Sequence, residues 1–291
     1  MQTLREKIEN IRFILLDMDG TMFNAAHRID AETADVMRQL MDKGYYVAAA
    51  TGRGLATLQP LLNPLGLRFN APSVGSAGGE VGEAGCVGSE RLFTHAFPRE
   101  ELLQLLRFVL SVGANFCTDG IGRVFVSEAA GTDTYQFKDS RIAKEMGCAY
   151  PEVVQLHTET LEQQLGEGEV FKILIWHEND AQRDAIFDFL EAQPGIHGFS
   201  TARTMMEALP TGVDKAAGVQ IAAEKLGLTP AQCCVFGDSG NDVAMLKAAG
   251  LSVAMKNASD DVLAVADLVT DYPNSEFGAA RMLQKLFLSE E

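Results

Sequence analysis

Two aspartates, two positions apart, follow a short apolar run near the start of the chain. Phe13–Leu16 leads directly into Asp17, Met18, Asp19 and Gly20. In extended backbone, residues two apart project to the same side, so the two carboxylates can act on one ligand. A buried carboxylate is costly unless a cation neutralises it, and a hard divalent ion would serve. For an isolated pair of this kind, the alternative is that the aspartates only cap a turn.

Two further positions carry groups that bind anions. Thr51 and Gly52 follow the apolar run 45–50. The Thr51 hydroxyl and the backbone N–H groups of Gly52 and Arg53 could hold a phosphate oxygen. Lys215 begins a helical pattern, where its ammonium adds to the positive end of the helix dipole. Taken singly, Thr51 as a helix cap and Lys215 as a solvated lysine are the simpler interpretations.

An acidic loop bracketed by glycines follows an apolar run late in the chain. After residues 233–236 come Gly237, Asp238, Ser239, Gly240, Asn241 and Asp242. Mg²⁺ takes a nearly octahedral shell of oxygens, commonly one or two carboxylates with phosphate and water. Asp17, Asp238 and a backbone carbonyl could supply that shell. For Asp242 the alternative is a hydrogen bond within its own loop.

Strand-like and helix-like segments alternate at both ends of the chain. A helical pattern between Asp30 and Gly44 separates runs 13–16 and 45–50, as in a βαβ unit. A second helical stretch follows Gly54 and is limited by Pro60 and Pro64. The same alternation returns after residue 211. These patterns predict an α/β fold with a parallel sheet, whose strands bring the candidate residues to one edge.

The middle of the chain has a different pattern. The glycine-rich segment 74–82 lacks a following helix, so we interpret it as a hairpin and linker. Residues 91–203 hold an amphipathic helix near 102–109, strand-like runs at 115–118, 124–127 and 170–176, and a helix at 181–192. This pattern predicts an inserted α+β domain at 86–203. The core domain is then formed by 1–85 and 204–291.

Composition and charge restrict the class of protein. Of 291 residues, 47% are hydrophobic and 22% charged, which excludes a wholly disordered chain. A net charge of −16 repels polyanions, so no nucleic-acid partner is expected. The five cysteines have no zinc-site spacing, which favours reduced thiols in a cytoplasmic protein. Apolar runs are far shorter than the roughly 18 residues of a membrane span, so neither membrane insertion nor export is expected.

In their order along the chain, these motifs resemble those of a known superfamily. The segments 17–21, 51–53, Lys215 and 237–242 are similar to the four motifs of the haloacid dehalogenase (HAD) superfamily of phosphatases. The insertion between Arg53 and Lys215 resembles the large cap of its Cof-like branch. The resemblance covers roughly the first 85 and last 85 residues, and it implies a Rossmann-like parallel-sheet core with an inserted α+β cap.

The resemblance also implies a role for each motif residue. Asp17 would attack phosphorus and form an aspartyl-phosphate, while Asp19 would protonate the leaving alcohol and then deprotonate water. Mg²⁺ would be held by Asp17, the backbone carbonyl of Asp19 and Asp238. Phosphate would be bound by Thr51, Gly52, Lys215 and Asn241, with Asp242 supporting the loop.

Two segments depart from the family pattern. Residues 75–79, Gly-Ser-Ala-Gly-Gly, stand where Cof-like proteins often have Asn-Gly-Ala. Residues 275–278 replace an acidic-glycine turn near the end. The cap is expected to close over the substrate and select it. Its candidate contact residues, for which burial in the cap is the alternative, are Arg123, Trp176, His177 and Arg203.

The leading hypothesis is an Mg²⁺-dependent phosphatase of small phosphorylated metabolites, such as sugar phosphates. One alternative is a phosphomutase, which returns the phosphoryl group to a second hydroxyl. The other is a non-enzymatic module in which a phosphorylated aspartate switches a partner. The length of the insertion and the position of Asp19 argue against such a module, and the sequence predicts no oligomeric state.

Overall fold

The computed structural model describes residues 3–24, 26–85, 87–131 and 134–289 and contains three β-sheets. In chain order the strands are β1 (Phe13–Leu16), β2 (Tyr46–Ala49), β3 (Ser73–Gly75), β4 (Glu80–Gly82), β5 (Arg91–Thr94), β6 (Asn115–Gly120), β7 (Arg123–Ser127), β8 (Glu152–Leu156), β9 (Val170–Trp176), β10 (Ile196–Ala202), β11 (Met205–Pro210), β12 (Cys233–Gly237), β13 (Leu251–Ala254) and β14 (Leu268–Val269).

The α-helices pack on and between these sheets. In chain order they are α1 (Leu4–Asn10), α2 (Ala31–Asp42), α3 (Gln59–Leu62), α4 (Arg99–Ser111), α5 (Tyr135–Glu145), α6 (Leu161–Leu165), α7 (Asp180–Glu191), α8 (Lys215–Lys225), α9 (Val243–Ala248), α10 (Asp260–Leu263) and α11 (Gly278–Leu283). The helix predicted after Asp30 is therefore confirmed as α2. The helical stretch predicted after Gly54 is broken into α3 and two 3₁₀ turns, because Pro60 and Pro64 interrupt its hydrogen bonding.

The first sheet is parallel throughout and has the order β14-β13-β12-β1-β2. The interior strand β1, between β12 and β2, is wholly buried, and alternate residues enter two separate cores. Ile14 and Leu16 belong to the core that includes α2, whereas Phe13 and Leu15 belong to the core that includes α8. A strand covered on both faces needs a continuous apolar sequence, as this one has. The prediction of an α/β fold with a parallel sheet is confirmed.

The second sheet lies within the insertion and has the order β10-β11-β9-β6-β7-β8. All its pairings are antiparallel except that of β7 with β8. Helices α4 and α7 pack their apolar residues against it, which confirms an α+β unit. The strand β11 pairs with β9 and β10, although it lies beyond the boundary expected after residue 203.

The third sheet, with the order β3-β4-β5, is antiparallel and contains the glycine-rich segment. The hairpin interpretation of that segment is confirmed by the pairing of β3 with β4. This sheet spans the domain boundary expected after residue 85, and the β10–β11 hairpin spans the domain boundary expected after residue 203. We therefore propose that the inserted unit begins after β5 and ends with β11.

Gly78 supports the start of α8 from within this hairpin. Its φ is +107°, and a Cβ there would lie 2.0 Å from the backbone oxygen of Asp214, the residue before Lys215. We expect Gly78→Ala to lower the free energy of unfolding by more than about 2 kcal/mol, because strain and a backbone clash add. Chemical denaturation measures this loss.

Gly44→Ala is the matched control, because Gly44 has a similar φ of +91° and no atom within 4 Å of the added Cβ. We expect it to cost about 1 kcal/mol from backbone strain alone. Equal losses in the two variants would contradict the proposed contact with Asp214.

Candidate active site

Residues from separate parts of the chain meet at the carboxyl edge of the parallel sheet. Asp17 follows β1 and Asp238 follows β12, and these two strands are neighbours. Lys215 is the first residue of α8, and its Nζ donates to Asp17 Oδ1 at 2.6 Å and to Asp242 Oδ1 at 2.6 Å. The sheet therefore brings these side chains together, as expected for ligand-binding residues of an open α/β sheet.

Asp242 holds the acidic loop in shape. It is fully buried, and its Oδ2 accepts hydrogen bonds from the backbone N–H groups of Asp238 at 2.9 Å and Ser239 at 3.1 Å. Its Oδ1 accepts from Lys215. Gly237 allows this close approach, because a Cβ there would lie 2.5 Å from the Cβ of Asp242. Both carboxylate oxygens of Asp242 are thus already engaged.

Three carboxylates of this edge form a group that could hold a metal ion. One oxygen of each of Asp17, Asp238 and Asp242 lies within 4.8 Å of the others. Burial, together with the charge of Asp242, raises the pKa of Asp238 to about 6. Burial also raises the pKa of Asp17, against the lowering effect of Lys215. A bound cation would favour the ionised form of these acids.

Gly20 allows Asp238 to reach the Asp17–Asp19 segment. Its φ is +86°, and a Cβ there would lie 2.3 Å from Asp238 Oδ2. Thr21 Oγ1 donates to Asp238 Oδ1 at 3.0 Å. The glycine in the Asp-x-Asp-Gly sequence is therefore required both by its backbone conformation and by the carboxylate beside it.

Lys215 is the buried cation between these acids, being 1% exposed. Burial alone would lower its pKa, but the charges of Asp17 and Asp242 outweigh burial and raise the pKa above its ordinary value. The ammonium is therefore charged in the folded protein. It places a positive charge among the acidic residues of this site, although the chain as a whole has a net charge of −16.

The predicted phosphate-binding residues lie beside this group. Thr51 is buried, and its hydroxyl accepts a hydrogen bond from the backbone N–H of Arg53 at 3.1 Å. A Cβ at Gly52 would lie 3.8 Å from Asn241 Nδ2, so these two positions are adjacent. A cavity of about 150 Å³ opens here, with a lining of Ala77, Phe199, Leu209, Asp214, Lys215, Gly240, Asn241 and Ala244.

Asp19 has a different environment from Asp17. Arg53 donates hydrogen bonds to both carboxylate oxygens of Asp19, from Nε to Oδ2 at 2.7 Å and from Nη2 to Oδ1 at 2.9 Å. Burial alone would raise the pKa of Asp19, but the hydrogen bonds and charge of Arg53 hold it below its ordinary value. The two aspartates therefore differ in partners and in the direction of their pKa shifts, which suits them to different chemical roles.

The Arg53 side chain also joins the core to the insertion. Its Nη1 donates a hydrogen bond to Oδ2 of Asp139, on α5, at 3.0 Å. Its guanidinium carbon lies 5.3 Å from the ring centroid of Tyr135 on α5 and 5.5 Å from that of Phe23. The sequence analysis considered only the backbone N–H of Arg53, because no pattern in the sequence predicted α5.

The candidate contact residues of the cap lie elsewhere. Arg123 forms an exposed ion pair with Glu152, and Arg203 is exposed. Trp176 ends β9, and the ring nitrogens of the buried His177 have no partner among the described residues. The structure records no contact between these four and the acidic group within its described ranges. The insertion instead presents Asp119, Lys172 and Glu207 to the loop at 51–54.

A parallel α/β core with acidic residues at its carboxyl edge, and with an α+β unit inserted beside that edge, belongs to the Rossmann-like class of α/β proteins. The sequence model of the haloacid dehalogenase-like hydrolases matches residues 14–283. The chain belongs to this family, in agreement with the resemblance of its motifs, and it is a hydrolase of the phosphatase type.

Named relatives extend over nearly the whole chain. The chain is 29% identical to 5-amino-6-(5-phospho-D-ribitylamino)uracil phosphatase YcsE of Bacillus subtilis, over 98% of each chain. It is 26% identical to HMP-PP phosphatase of Serratia proteamaculans, over 85% of this chain and 84% of that one. A haloacid dehalogenase-like hydrolase from B. subtilis has the same fold, with a TM-score of 0.80 and 21% identity, over 95% of this chain and all of that one.

Among the described residues, no helix has the length and apolar sequence needed to span a membrane.

The bridge from Asp19 through Arg53 to Asp139 yields a testable expectation about dynamics. We expect Arg53→Ala to speed amide exchange of α5 roughly tenfold, because a largely buried ion pair and two ring contacts are lost. Hydrogen exchange followed by mass spectrometry measures this on peptides covering residues 135–145.

Arg183→Ala is the control, because Arg183 pairs with Asp180 and Asp184 on the exposed surface of α7. It should leave exchange of α5 unchanged. If both variants gave the same exchange in α5, Arg53 would not tie that helix to the core.

Proposed function

We propose that the protein is an Mg²⁺-dependent phosphatase that hydrolyses small phosphorylated metabolites through an aspartyl-phosphate. The carrying observation is the contrast between Asp17, bonded to Lys215 within the acidic group, and Asp19, bonded to Arg53 at its border. The names of relatives support this proposal, since those proteins are phosphatases. The cavity beside Lys215 and Asn241, about 150 Å³, suits a small substrate.

Asp17 is the proposed nucleophile. Lys215 occupies its Oδ1, so Oδ2 is the oxygen that attacks phosphorus. As that O–P bond forms, the bond between phosphorus and the leaving alcohol breaks, and the alcohol oxygen takes a proton from Asp19. Because Arg53 keeps Asp19 ionised in the resting arrangement, this ion pair must loosen for Asp19 to take up the proton that it gives.

Asp19 acts as the base in the second step. It removes a proton from water as that water attacks the phosphorus of the aspartyl-phosphate. The bond between phosphorus and Asp17 then breaks, which releases inorganic phosphate and restores the Asp17 carboxylate. The ionised form of Asp19 that Arg53 favours is the form that this step requires.

The donor set fits a hard divalent cation. Asp238 Oδ2 has no hydrogen bond to any described residue, and a carboxylate oxygen of Asp17 lies within 4.8 Å of one of Asp238, whereas both oxygens of Asp242 are engaged. We therefore assign the Mg²⁺ ligands to Asp17, Asp238 and the backbone carbonyl of Asp19, with Asp242 supporting the loop. When bound, Mg²⁺ neutralises charge on the phosphoryl oxygens. Thr51, Gly52, Lys215 and Asn241 are the proposed phosphate contacts.

A cytoplasmic location and the absence of nucleic-acid partners remain part of this proposal. Cys117, Cys148, Cys233 and Cys234 are unpaired thiols, in keeping with a reducing compartment. Cys86 lies outside the described residues.

Removal of the nucleophile tests the reaction. We expect Asp17→Asn to lower kcat for phosphate release by about 10³-fold or more, because the amide cannot form the aspartyl-phosphate. Phosphate release from a panel of phosphomonoesters with Mg²⁺ measures this. Asp184→Asn, which alters an exposed acid on α7, is the matched control and should retain wild-type turnover.

Undiminished turnover by Asp17→Asn would refute the proposed nucleophile. Conversion of a labelled substrate to an isomer, with little free phosphate, would point to a phosphomutase instead. A stable phosphorylated Asp17 without turnover would point to a phospho-accepting module.

The pKa of Asp238 sets the pH dependence of metal binding. With a pKa of about 6, Asp238 is largely ionised at pH 7 and protonated at pH 5. Because Mg²⁺ displaces this proton, its affinity should be nearly constant above pH 7 and fall toward about tenfold per pH unit below pH 6. Calorimetric titration between pH 5 and 8 measures this. Asp238→Asn should bind Mg²⁺ weakly and with a shallower pH dependence, because Asp17 is then the titrating side-chain ligand that remains, and an equally steep profile in that variant would contradict the assignment.

A further inference from the structure

Three charged side chains of the insertion are buried against the loop at residues 51–54. They are Asp119 on β6, Lys172 on β9 and Glu207 on β11, and their exposed fractions are 0%, 4% and 7%. Lys172 Nζ lies 3.2 Å from Glu207 Oε1 and 3.5 Å from Asp119 Oδ2. Two carboxylates and one ammonium leave this cluster with one net negative charge.

Each carboxylate of the cluster has an oxygen without a hydrogen bond. Asp119 Oδ1 accepts from the Tyr135 hydroxyl at 2.9 Å, but Asp119 Oδ2 and Glu207 Oε2 are buried and accept no hydrogen bond from any described residue. A buried carboxylate oxygen without a donor costs free energy comparable to a lost charged hydrogen bond. Asp119 Oδ2 still faces the Lys172 ammonium at 3.5 Å, whereas Glu207 Oε2 has no recorded partner among the described residues, so Glu207 Oε2 is the better placed of the two to accept a hydrogen bond from a bound molecule.

Strand register places Glu207 on the face of the sheet that borders the cavity. Phe199 is directly opposite Glu207 on β10, and Leu209 lies two residues further along β11. Both therefore project from the same face as Glu207. Phe199 and Leu209 line the cavity together with Lys215 and Asn241 of the core.

The cluster is also close to the proposed phosphate contacts. A Cβ at Gly52 would lie 3.3 Å from Lys172 Nζ and 3.8 Å from Glu207 Oε1. A Cβ at Gly54 would lie 3.5 Å from the Cβ of Asp119. A substrate whose phosphate lay at this loop would therefore have these side chains beside it on the side of the insertion.

We propose that Glu207 and Asp119 select the leaving group of the substrate by accepting hydrogen bonds from its hydroxyl or N–H groups. Lys172 is a positioning residue that holds the two carboxylates. The preferred leaving group is then uncharged and rich in donors, such as a polyol or sugar, with an apolar or planar part beside Phe199. The net negative charge of the cluster disfavours leaving groups that carry a carboxylate or a second phosphate. This inference rests on the proposed phosphatase activity.

The wild-type enzyme provides the first test. Phosphate release with Mg²⁺ is measured for sorbitol phosphate, for phosphoglycolate and for p-nitrophenyl phosphate, whose leaving group has a planar ring and no hydroxyl chain. We expect kcat/KM for sorbitol phosphate to exceed that for phosphoglycolate at least tenfold. The reverse order would overturn the inference.

Glu207→Gln tests the residue, because it preserves shape and removes the negative charge. We expect the ratio of kcat/KM for sorbitol phosphate to that for p-nitrophenyl phosphate to fall about tenfold, since hydrogen bonds to an ionised acceptor are stronger than those to an amide. The ratio for phosphoglycolate to p-nitrophenyl phosphate should rise. Glu152→Gln, at the exposed pair with Arg123, is the matched control and should leave both ratios within about twofold.

The outcomes separate this inference from the proposed function. If Glu207→Gln changed all three substrates equally, Glu207 would have only a structural role, while the phosphatase proposal would stand. If none of the three substrates gave phosphate release that depends on Asp17, the proposed function would fail. This inference would then fail with it.

Discussion

The buried ion pairs of Lys215 with Asp17 and Asp242 are the constraint on which the site depends. Three acids at one edge of a sheet repel each other, and burial adds to the cost of their charges. One ammonium, 2.6 Å from two of them, holds the strand end, the acidic loop and the start of α8 in one arrangement. The remaining negative charge is what makes the place suitable for a divalent cation. Structure and proposed chemistry thus depend on the same charges.

Arg53 holds two carboxylates together at the border of the site, as Lys215 does in its interior. Its planar fork binds Asp19 on one side and Asp139 of the insertion on the other. The charge state of Asp19 is therefore linked to contacts that exist only when the insertion lies against the core. A guanidinium suits this position better than an ammonium, since it can bond two carboxylates in fixed directions and also stack on rings.

The sequence predicted the parallel core and the meeting of Asp17, Lys215 and Asp238 at its edge, because both follow from local signals. Apolar runs ending in Asp17, Thr51 or Asp238 mark buried parallel strands, and parallel strands share a carboxyl edge. The roles of Asp119, Lys172 and Glu207 had no such signal, because a charged residue within a strand usually faces solvent. Only the register of β6, β9 and β11 shows that these three meet each other and the core. Trp176 and the other cap candidates were chosen by residue type alone, and the described residues show no contact between them and the acidic group.

The side chains of β1 alternate between two hydrophobic cores, and this alternation also determines the direction of the Asp17 side chain. Deleting a single residue from Phe13–Leu16 would turn every following side chain to the opposite layer, and Asp17 would face away from Lys215. Side chains in this strand can be exchanged for others of similar size, whereas its length cannot change by one. The side of the sheet on which Asp17 lies therefore depends on whether an odd or an even number of residues separates it from the start of β1.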